Sequence, residues 1–580
     1  MQDRRAPHVV VLGGGFTAFG VSRALRPLMR QGRAKVTVLD RENFLFYHGL
    51  LAEFLVGRLT ASTVLSPSRR IFPPARFHQA EIEEVDLGEQ TVTASTRPDG
   101  IRRMLRYDHL VVGLGSADNL EMYPGLGEHA FRLKAYHDVF HLRNHILRMF
   151  ELAEIESDPE ERQALMTFLI AGGGYAGTEV SGELADLCRI LIERHYRGID
   201  PGEPRVILVE PGPTILPEMY GSVGSAGHAE GHPELVRFAS EHIASLGVEA
   251  ITGVGVAAVS PGEVTLSDGR KFQSRTIISA VGTKMPAIVE SLDVPKDARG
   301  RLVVERSLRV PGFANVWAGG DCAQVPHPDG GYAPPRALEA IAQGRTIGKN
   351  VARTFQGAAL VDYAYRPPGQ GVPLGGHVTV GELKGVELKG SAAFYVMKAF
   401  LLKYTVTWDR RLHLLADWLI NALTGRDVAE IATAQSGAYE LRENVFQPGE
   451  VIVREGREGR YLHVIVDGEV EIVQGTAADG AGGTVTRTLG RTETFGQAWL
   501  DQRAEESARA KTAVRTVTIR TDQTHRVLEL IETLQHLEAE RAAASNPPPK
   551  KTTGRKPAAA RGTTRTKAAK DAAAGEPPES

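Results

Sequence analysis

"MTFLIAGGGYAGTEVSGEL" (166–184) runs from an apolar, β-branched stretch through three glycines into helix-forming residues, and "VVVLGGGFTAFG" (9–20) does the same near the N-terminus. A glycine turn from strand to helix is an anion site. The first glycine permits the tight turn, the second lets a pyrophosphate approach the backbone, and the helix N-terminus supplies unpaired N–H groups and a partial positive charge. The first turn reads Gly13-x-Gly15-x-x-Ala18, with Phe16 directly after the glycines; the second reads Gly172-x-Gly174-x-x-Gly177. Each unit continues to a strand that ends in an acid, Asp40 after "KVTVL" and Glu210 after "RVILV". Those carboxylates are of the type that accepts hydrogen bonds from a ribose. A lone glycine turn is weak evidence. Two complete strand–turn–helix–strand–acid units predict two bound dinucleotides, and the useful pairing is a flavin with a nicotinamide.

Around these units the chain has 580 residues, enough for three or four domains. A formal net charge of -2 argues against a nucleic-acid footprint for the body. The only cysteines, Cys188 and Cys322, stand far apart, which excludes a disulfide scaffold, a CxxC zinc site and a closely spaced redox pair. No metal site is expected: His228 and His232, in the Gly/Ser/His-rich 221–234 stretch, read as a solvated loop. The N-terminus lacks the apolar core of a secretory signal, and no apolar run approaches the ~20 residues of a spanning helix. In the second unit Val180, Leu184, Leu187 and Leu191 recur at helical spacing and should pack on a sheet.

"YDHLVVGLGS" (107–116) and "NVWAGGDCAQ" (315–324) bracket the second unit. In that arrangement the chain resembles flavoproteins in which a NAD domain is inserted into a FAD domain. The resemblance implies that Gly115 closes the first lobe, that Gly320 and Asp321 meet the flavin's ribityl chain, and that the first turn holds FAD and the second NADH. Within that group it most resembles type II NADH dehydrogenase, the single-subunit, non-pumping NADH:quinone oxidoreductase. The matching segments are "DRENFLFYHGLLAEFLVG" (40–57), "LKAYHDVFHLRNHI" (133–146), "GGGYAGTEVSGELADL" (172–187), "GGDCA" (319–323) and "WDRRLHLLADWLINALTG" (408–425). The expected fold class is α/β, with two Rossmann-like domains, then an amphipathic helical region, an all-β roll and a disordered tail. The boundaries expected are FAD domain 1–160 and 291–365, NAD domain 161–290, membrane-docking region 366–434, β-roll 435–520, a helix over 521–545 and a disordered basic tail over 546–580.

The implied reaction is hydride transfer from NADH to FAD, followed by electron delivery to an acceptor. Glu179, two residues past the second glycine turn, occupies the slot the family fills with a Glu near flavin and nicotinamide; without the family it is a first-turn helix acid stabilised by the dipole. Glu183, one turn on, reads as solvated or paired. Lys134 sits near the flavin by resemblance. Tyr47 and His48 precede Gly49 where the family has Pro, so the loop under the flavin should differ. In "PPRALEAIAQG" (334–344), Leu338 and Ala342 replace glutamines the family places beside quinone and flavin, and only Gln343 remains. Glu179, Gln343 and Lys134 are the catalytic candidates. Cys322, after Asp321, reads as a small packing residue.

In the late segment Leu412, Leu415, Leu419 and Leu423 share one helical face, opposed by His413, Asp417 and Asn421. Arg410, Arg411 and Arg426 flank that helix, while Lys398 and Lys403 interrupt the apolar stretch before it. Such a helix lies in a membrane interface rather than spanning it, which places the protein peripherally on the cytoplasmic face of the cell membrane; a core helix or homodimer contact is the competing reading. "FQPGEVIVREGREGRYLHVIVDGEVEIV" (446–473) resembles the cyclic-nucleotide-binding β-roll, but Gln497 stands where the ribose-binding Glu should be. Lys511-Thr512-Ala513 is the nearest approach to the phosphate-binding Arg, so cyclic-nucleotide binding is not expected. A soluble or protein acceptor, or a redox sensor with the roll as output, remain alternatives to the quinone.

Overall fold

The computed structural model describes residues 6–96, 100–220, 231–431, 442–455, 461–475, 483–496, 504 and 506–520. His228, Gln497, the expected helix over 521–545 and the expected basic tail lie outside these residues.

The first glycine unit builds a five-stranded parallel sheet whose spatial order is Val316–Ala318, His109–Val112, His8–Leu12, Lys35–Asp40 and Arg76–Gln79. His8–Leu12 is the central strand and is buried throughout. A strand covered on both faces needs the near-continuous apolar run seen in "VVVL". The second unit builds a four-stranded parallel sheet in the order Val248–Thr252, Arg205–Glu210, Thr167–Ala171 and Thr276–Ser279. Its helix, Tyr175–Arg194, buries Val180, Leu184, Leu187 and Leu191 as the spacing predicts. The strand Val316–Ala318 returns to the first sheet after the second is complete, so the second unit is an insertion in the first. This is the two-Rossmann arrangement expected.

The two ends of the first unit are joined by a close helix crossing. Phe16–Arg30 packs on Ala337–Thr354, and only glycine fits where they meet. A Cβ on Gly20 would stand 2.3 Å from the Ile341 carbonyl oxygen, and one on Gly344 would stand 2.1 Å from that of Thr17. Backbone-to-backbone approach of this kind fixes the glycine turn of the first helix against the strand end at Gly320, where a Cβ would meet Thr17 Oγ1 at 2.7 Å.

Beyond this body lie a three-stranded antiparallel sheet (Gly369–Pro373, Thr379–Leu383, Val386–Lys389) and two helices, Gly390–Tyr404 and Trp408–Thr424. The sequence predicts helix over 391–425; the structure breaks it at Thr405, whose hydroxyl bonds back to Leu401 O, 2.8 Å away. The C-terminal module is a β-roll of two four-stranded antiparallel sheets with its own apolar core around Phe446, Ile465, Val470 and Phe495.

Candidate active site

Both glycine turns open on one cavity of about 2060 Å³, at least twice the upper end for a single ligand pocket. The first turn contributes Gly13 to Thr17 and the second Gly174 to Ala176, and Glu179 lines the same cavity. Gly13 has φ +92, and a Cβ there would lie 2.4 Å from Gly113 O. Gly15 faces open space, and Phe16 lines the cavity edge-on to Tyr47. Ala18 is fully buried behind the turn. Gly172 repeats the left-handed conformation with φ +105, and Gly177 comes so close to Gly172 O, 1.8 Å from an added Cβ, that no side chain is admitted. These are features of a backbone shaped for close approach by an anion.

The two strand-end acids do the same thing in each unit. One Asp40 oxygen accepts the Gly14 N–H and the other accepts the Glu42 N–H at 2.7 Å. Glu210 Oε2 accepts from Gly173 N at 2.7 Å and Oε1 from Gly212 N at 2.8 Å. Each carboxylate therefore pins its glycine turn to the neighbouring strand, a role the sequence reading, which considered only a ribose, did not include. Burial pushes the Asp40 carboxyl up, against the pull of those two N–H donors.

On the far side, Gly115 (φ +68) and Gly320 (φ +79) make the turns that carry Ser116 and Asp321 into the cavity. Ser116 Oγ donates to Asp321 Oδ2 at 3.0 Å, Lys134 Nζ donates to Ser116 Oγ, and Lys134 stands 3.6 Å from the Asp321 carboxylate. Sequence positions 116, 134 and 321 thus form one polar group. His48 bonds the Lys134 carbonyl at 2.7 Å through Nε2, and Gly49 borders the cavity, so this loop holds Lys134 in place. The Tyr47 hydroxyl turns away from the cavity to accept the Val406 N–H.

Gln343 is placed differently from expectation. It is buried, and its Oε1 accepts the Gly320 N–H at 2.7 Å. It acts from behind the Gly320–Asp321 turn, while Glu339 and Ala340 of the same helix reach the cavity. Cys322 is fully buried, with its thiol against Gly319 O and Val112 O. Cys188 is also buried, and burial pushes both thiols up, to about 11 and about 12 respectively.

Glu179 sits beside a buried cluster of charge. Burial, then the carboxylates of Glu183 and Glu53, push its pKa well above the usual carboxylate range, while Lys398 opposes the shift. Arg58 bridges Glu183 at 3.1 Å and Asp186 at 2.9 Å, and Arg426 bonds the same Asp186 oxygen. Glu53 pairs with Lys398 and accepts from Trp418 Nε1 at 3.0 Å. Glu183 is therefore paired. Arg410 and Arg426 were expected to flank the amphipathic helix and Lys398 to interrupt the apolar stretch before it; all three turn inward, Arg426 with a side chain only 4 % exposed. Arg411 and Lys403 remain outside. Sequence reasoning missed Glu53 and Arg58 as members of the site's surroundings, because their partners lie more than 100 residues away.

The helix Trp408–Thr424 buries Leu414 but also turns a large apolar face outward. Asp417 faces the body, accepting from Thr60 N at 2.8 Å and Thr63 Oγ1 at 2.7 Å. Trp408, Leu412, Leu415, Leu419, Ile420 and Leu423 face outward. Among the described residues no helix is long and apolar enough to cross a membrane, and no group of three or more side chains is arranged to hold a metal.

A family model described as pyridine nucleotide-disulphide oxidoreductase matches residues 7–344. The chain belongs to that family. A second model, the cyclic nucleotide-binding domain, matches residues 443–530. Among curated relatives, this pyridine nucleotide-disulphide oxidoreductase is 27% identical over 444 residues to the type II NADH:quinone oxidoreductase Ndh of Mycobacterium tuberculosis, covering 73% of this chain and 90% of the relative. It is 28% identical over 404 residues to the type II NADH:quinone oxidoreductase of Staphylococcus aureus, covering 68% and 94%. Its fold matches the structure of NDH2 from Plasmodium falciparum in complex with NADH, with TM-score 0.66, 17% identity, and coverage of 73% and 100%. In the β-roll, Lys511 Nζ bonds Glu469 Oε2 at 2.7 Å and Thr512 Oγ1 accepts the Glu469 N–H at 2.9 Å. Lys511 and Thr512, the residues that come nearest in sequence to the expected phosphate-binding Arg, are thereby engaged with the Asp467-Gly468-Glu469 turn.

Proposed function

We propose that the protein is a type II, non-pumping NADH:quinone oxidoreductase that works on the cytoplasmic face of the cell membrane. The observation that carries this reading is the single cavity onto which two glycine turns open and which Glu179 also lines. The residues fit FAD at the first turn. Gly13 and Gly15 leave the backbone bare, Phe16 and Asp40 border it, Ala18 packs behind it, and Gly115, Gly320, Asp321 and Lys134 supply turns and charge at the other end. Gly172, Gly174, Gly177 and Glu210 form the corresponding seat for NADH. FAD, when bound, supplies the chemistry of hydride acceptance and onward electron transfer.

The chain's own work is to hold, orient and supply protons. Lys134, fixed by His48 and Ser116, keeps a positive charge beside Asp321. Glu179 lines the cavity that both turns share, and its raised pKa favours the protonated carboxyl, the form that donates a hydrogen bond. Gln343 positions the Gly320–Asp321 turn. The outward leucine face lies in the lipid interface, as an amphipathic helix with exposed apolar residues does, and brings the cavity to a lipid-soluble acceptor. Lys511 and Thr512, already engaged, support a β-roll that folds without cyclic nucleotide.

Turnover of the purified protein tests the reading. NADH oxidation is expected with short-chain quinones in detergent or liposomes, with bound FAD that bleaches anaerobically on NADH addition. Brisk oxidation with ferricyanide but with none of the quinones would refute the quinone assignment, and protein that takes up no FAD would refute the whole.

A further inference from the structure

The two glycine turns differ in what faces the second glycine of the fingerprint. In the first, Gly15 faces open space. In the second, the equivalent Gly174 faces a carboxylate: a Cβ there would stand 2.8 Å from Glu218 Oε1. Glu218 comes from the short turn of helix Pro217–Tyr220, which follows the Glu210 strand and begins after Leu216, a residue in the left-handed region at φ 51. Its carboxylate accepts the N–H of Tyr175, the first residue of the helix Tyr175–Arg194, and lines the main cavity. That N–H and the bare face of Gly174 are the groups a pyrophosphate uses in such a turn. The surroundings hold the acid there. Burial and, less strongly, Glu210 push its pKa up, while its own N–H, then Arg336 and the Tyr175 N–H, pull it down. Arg336 is itself fixed over the Tyr175 ring, 5.8 Å from its centroid, by Gln370, which also accepts from the Tyr175 hydroxyl at 2.7 Å.

We propose that Glu218 is a specificity-determining residue of the NADH seat: its carboxylate stands in for the dinucleotide pyrophosphate at the second glycine turn and must be displaced when NADH binds. The inference rests on the reading that this turn receives NADH. A ligand then exchanges its own anion for one the protein already carries, so the resting affinity is weaker than the turn alone would give. An anion too weakly held to displace Glu218, such as a free mononucleotide phosphate, gains little from the seat. Displaced, the carboxylate turns toward Arg336, the cation that already acts on it.

Three full-length, FAD-loaded variants test this: Glu218→Ala, Glu218→Gln and Gly174→Ala. The readout is the concentration dependence of anaerobic flavin bleaching, which separates NADH affinity from the limiting rate, with AMP as a competing ligand. Glu218→Ala is expected to tighten NADH about tenfold, equivalent to about 1.4 kcal/mol, and to let AMP compete at correspondingly lower concentration. Glu218→Gln, which keeps an acceptor for Tyr175 N–H but not the charge, should give a smaller gain in the same direction. Gly174→Ala should abolish saturable NADH binding. A residue that merely caps the helix would lower the thermal midpoint and leave NADH affinity where it was. Unchanged or weaker affinity in both Glu218 variants, with Gly174→Ala impaired, overturns the proposal. Wild-type affinity in Gly174→Ala instead overturns the placement of NADH at this turn.

Discussion

Replacing Leu412, Leu419 and Leu423 together by Gln should detach the protein from lipid. These side chains are 55 %, 63 % and 77 % exposed on the outward face of the helix Trp408–Thr424. Fully burying a leucine is worth about 1.5–3 kcal/mol, so the three exposed portions amount to roughly two whole side chains, or about 3–6 kcal/mol. At 1.4 kcal/mol per factor of ten, membrane partitioning should fall by about 10²- to 10⁴-fold. Gln is close to Leu in helix propensity, and the inward contacts through Leu414, Asp417 and Trp418 are untouched, so the helix itself should persist. Co-sedimentation with vesicles of mixed zwitterionic and anionic lipid measures the partitioning. NADH–ferricyanide turnover in the same samples reports that the body is intact. If the triple variant sediments with vesicles as the wild type does, the membrane reading of this face is wrong. A wild-type dimer that becomes a monomer in the variant, with vesicle binding unaltered, would assign the face to a second copy of the chain.

Glu210 should favour NADH over NADPH by roughly 5- to 150-fold in kcat/KM, from about 1–3 kcal/mol of repulsion against the 2′-phosphate. Glu210→Gln should narrow that ratio, and equal use of both cofactors by the wild type would refute the placement. Arg426→Met leaves the buried Asp186 and Glu183 short of a cation and should cost about 3–5 kcal/mol, seen as a lower thermal midpoint; an unchanged midpoint would show that the cluster tolerates the loss. His463, buried in the β-roll and stacked on Phe495 with centroids 4.7 Å apart, has its pKa lowered by burial from 6.5 to about 4. The unfolded chain takes up this proton first, so the roll is at full stability above pH 6.5 and loses about 3 kcal/mol as pH falls toward 4. His463→Phe should flatten that acid limb of the β-roll transition, and a limb unaffected by the substitution would place the titration elsewhere.

The glycine turns were legible because two local signals coincide there, an apolar run for a strand buried on both faces and glycines where φ is positive. The acids Asp40 and Glu210 were legible as strand ends, but their bonds to Gly14 and Gly173 were not. A carboxylate next to a turn looks the same in sequence whether it faces ligand or backbone. Amphipathicity marked Leu412, Leu419 and Leu423 as one face without saying which way it points; the direction is set by Asp417 meeting Thr60 and Thr63 across more than 350 residues. Lys398 and Arg426 read as surface charges because a buried ion pair leaves no periodic trace. Glu218 was invisible for the same reason, being an ordinary acid in a short turn until Leu216 bends the chain toward Gly174.

The crossing of Gly20 against Gly344 has a consequence for how the molecule is made. The helix that carries the first glycine turn finds its partner only when the chain has grown by about 300 residues, roughly 15–60 s of synthesis at 5–20 residues per second. The second unit is continuous from Thr167 to Ser279 and has all four strands of its sheet as soon as it leaves the ribosome. It can close its sheet while the first unit still lacks Val316–Ala318 and the helix that packs on Phe16–Arg30. Nascent chains stopped short of Gly344 therefore hold every strand of the second sheet but lack the helix that covers Phe16–Arg30.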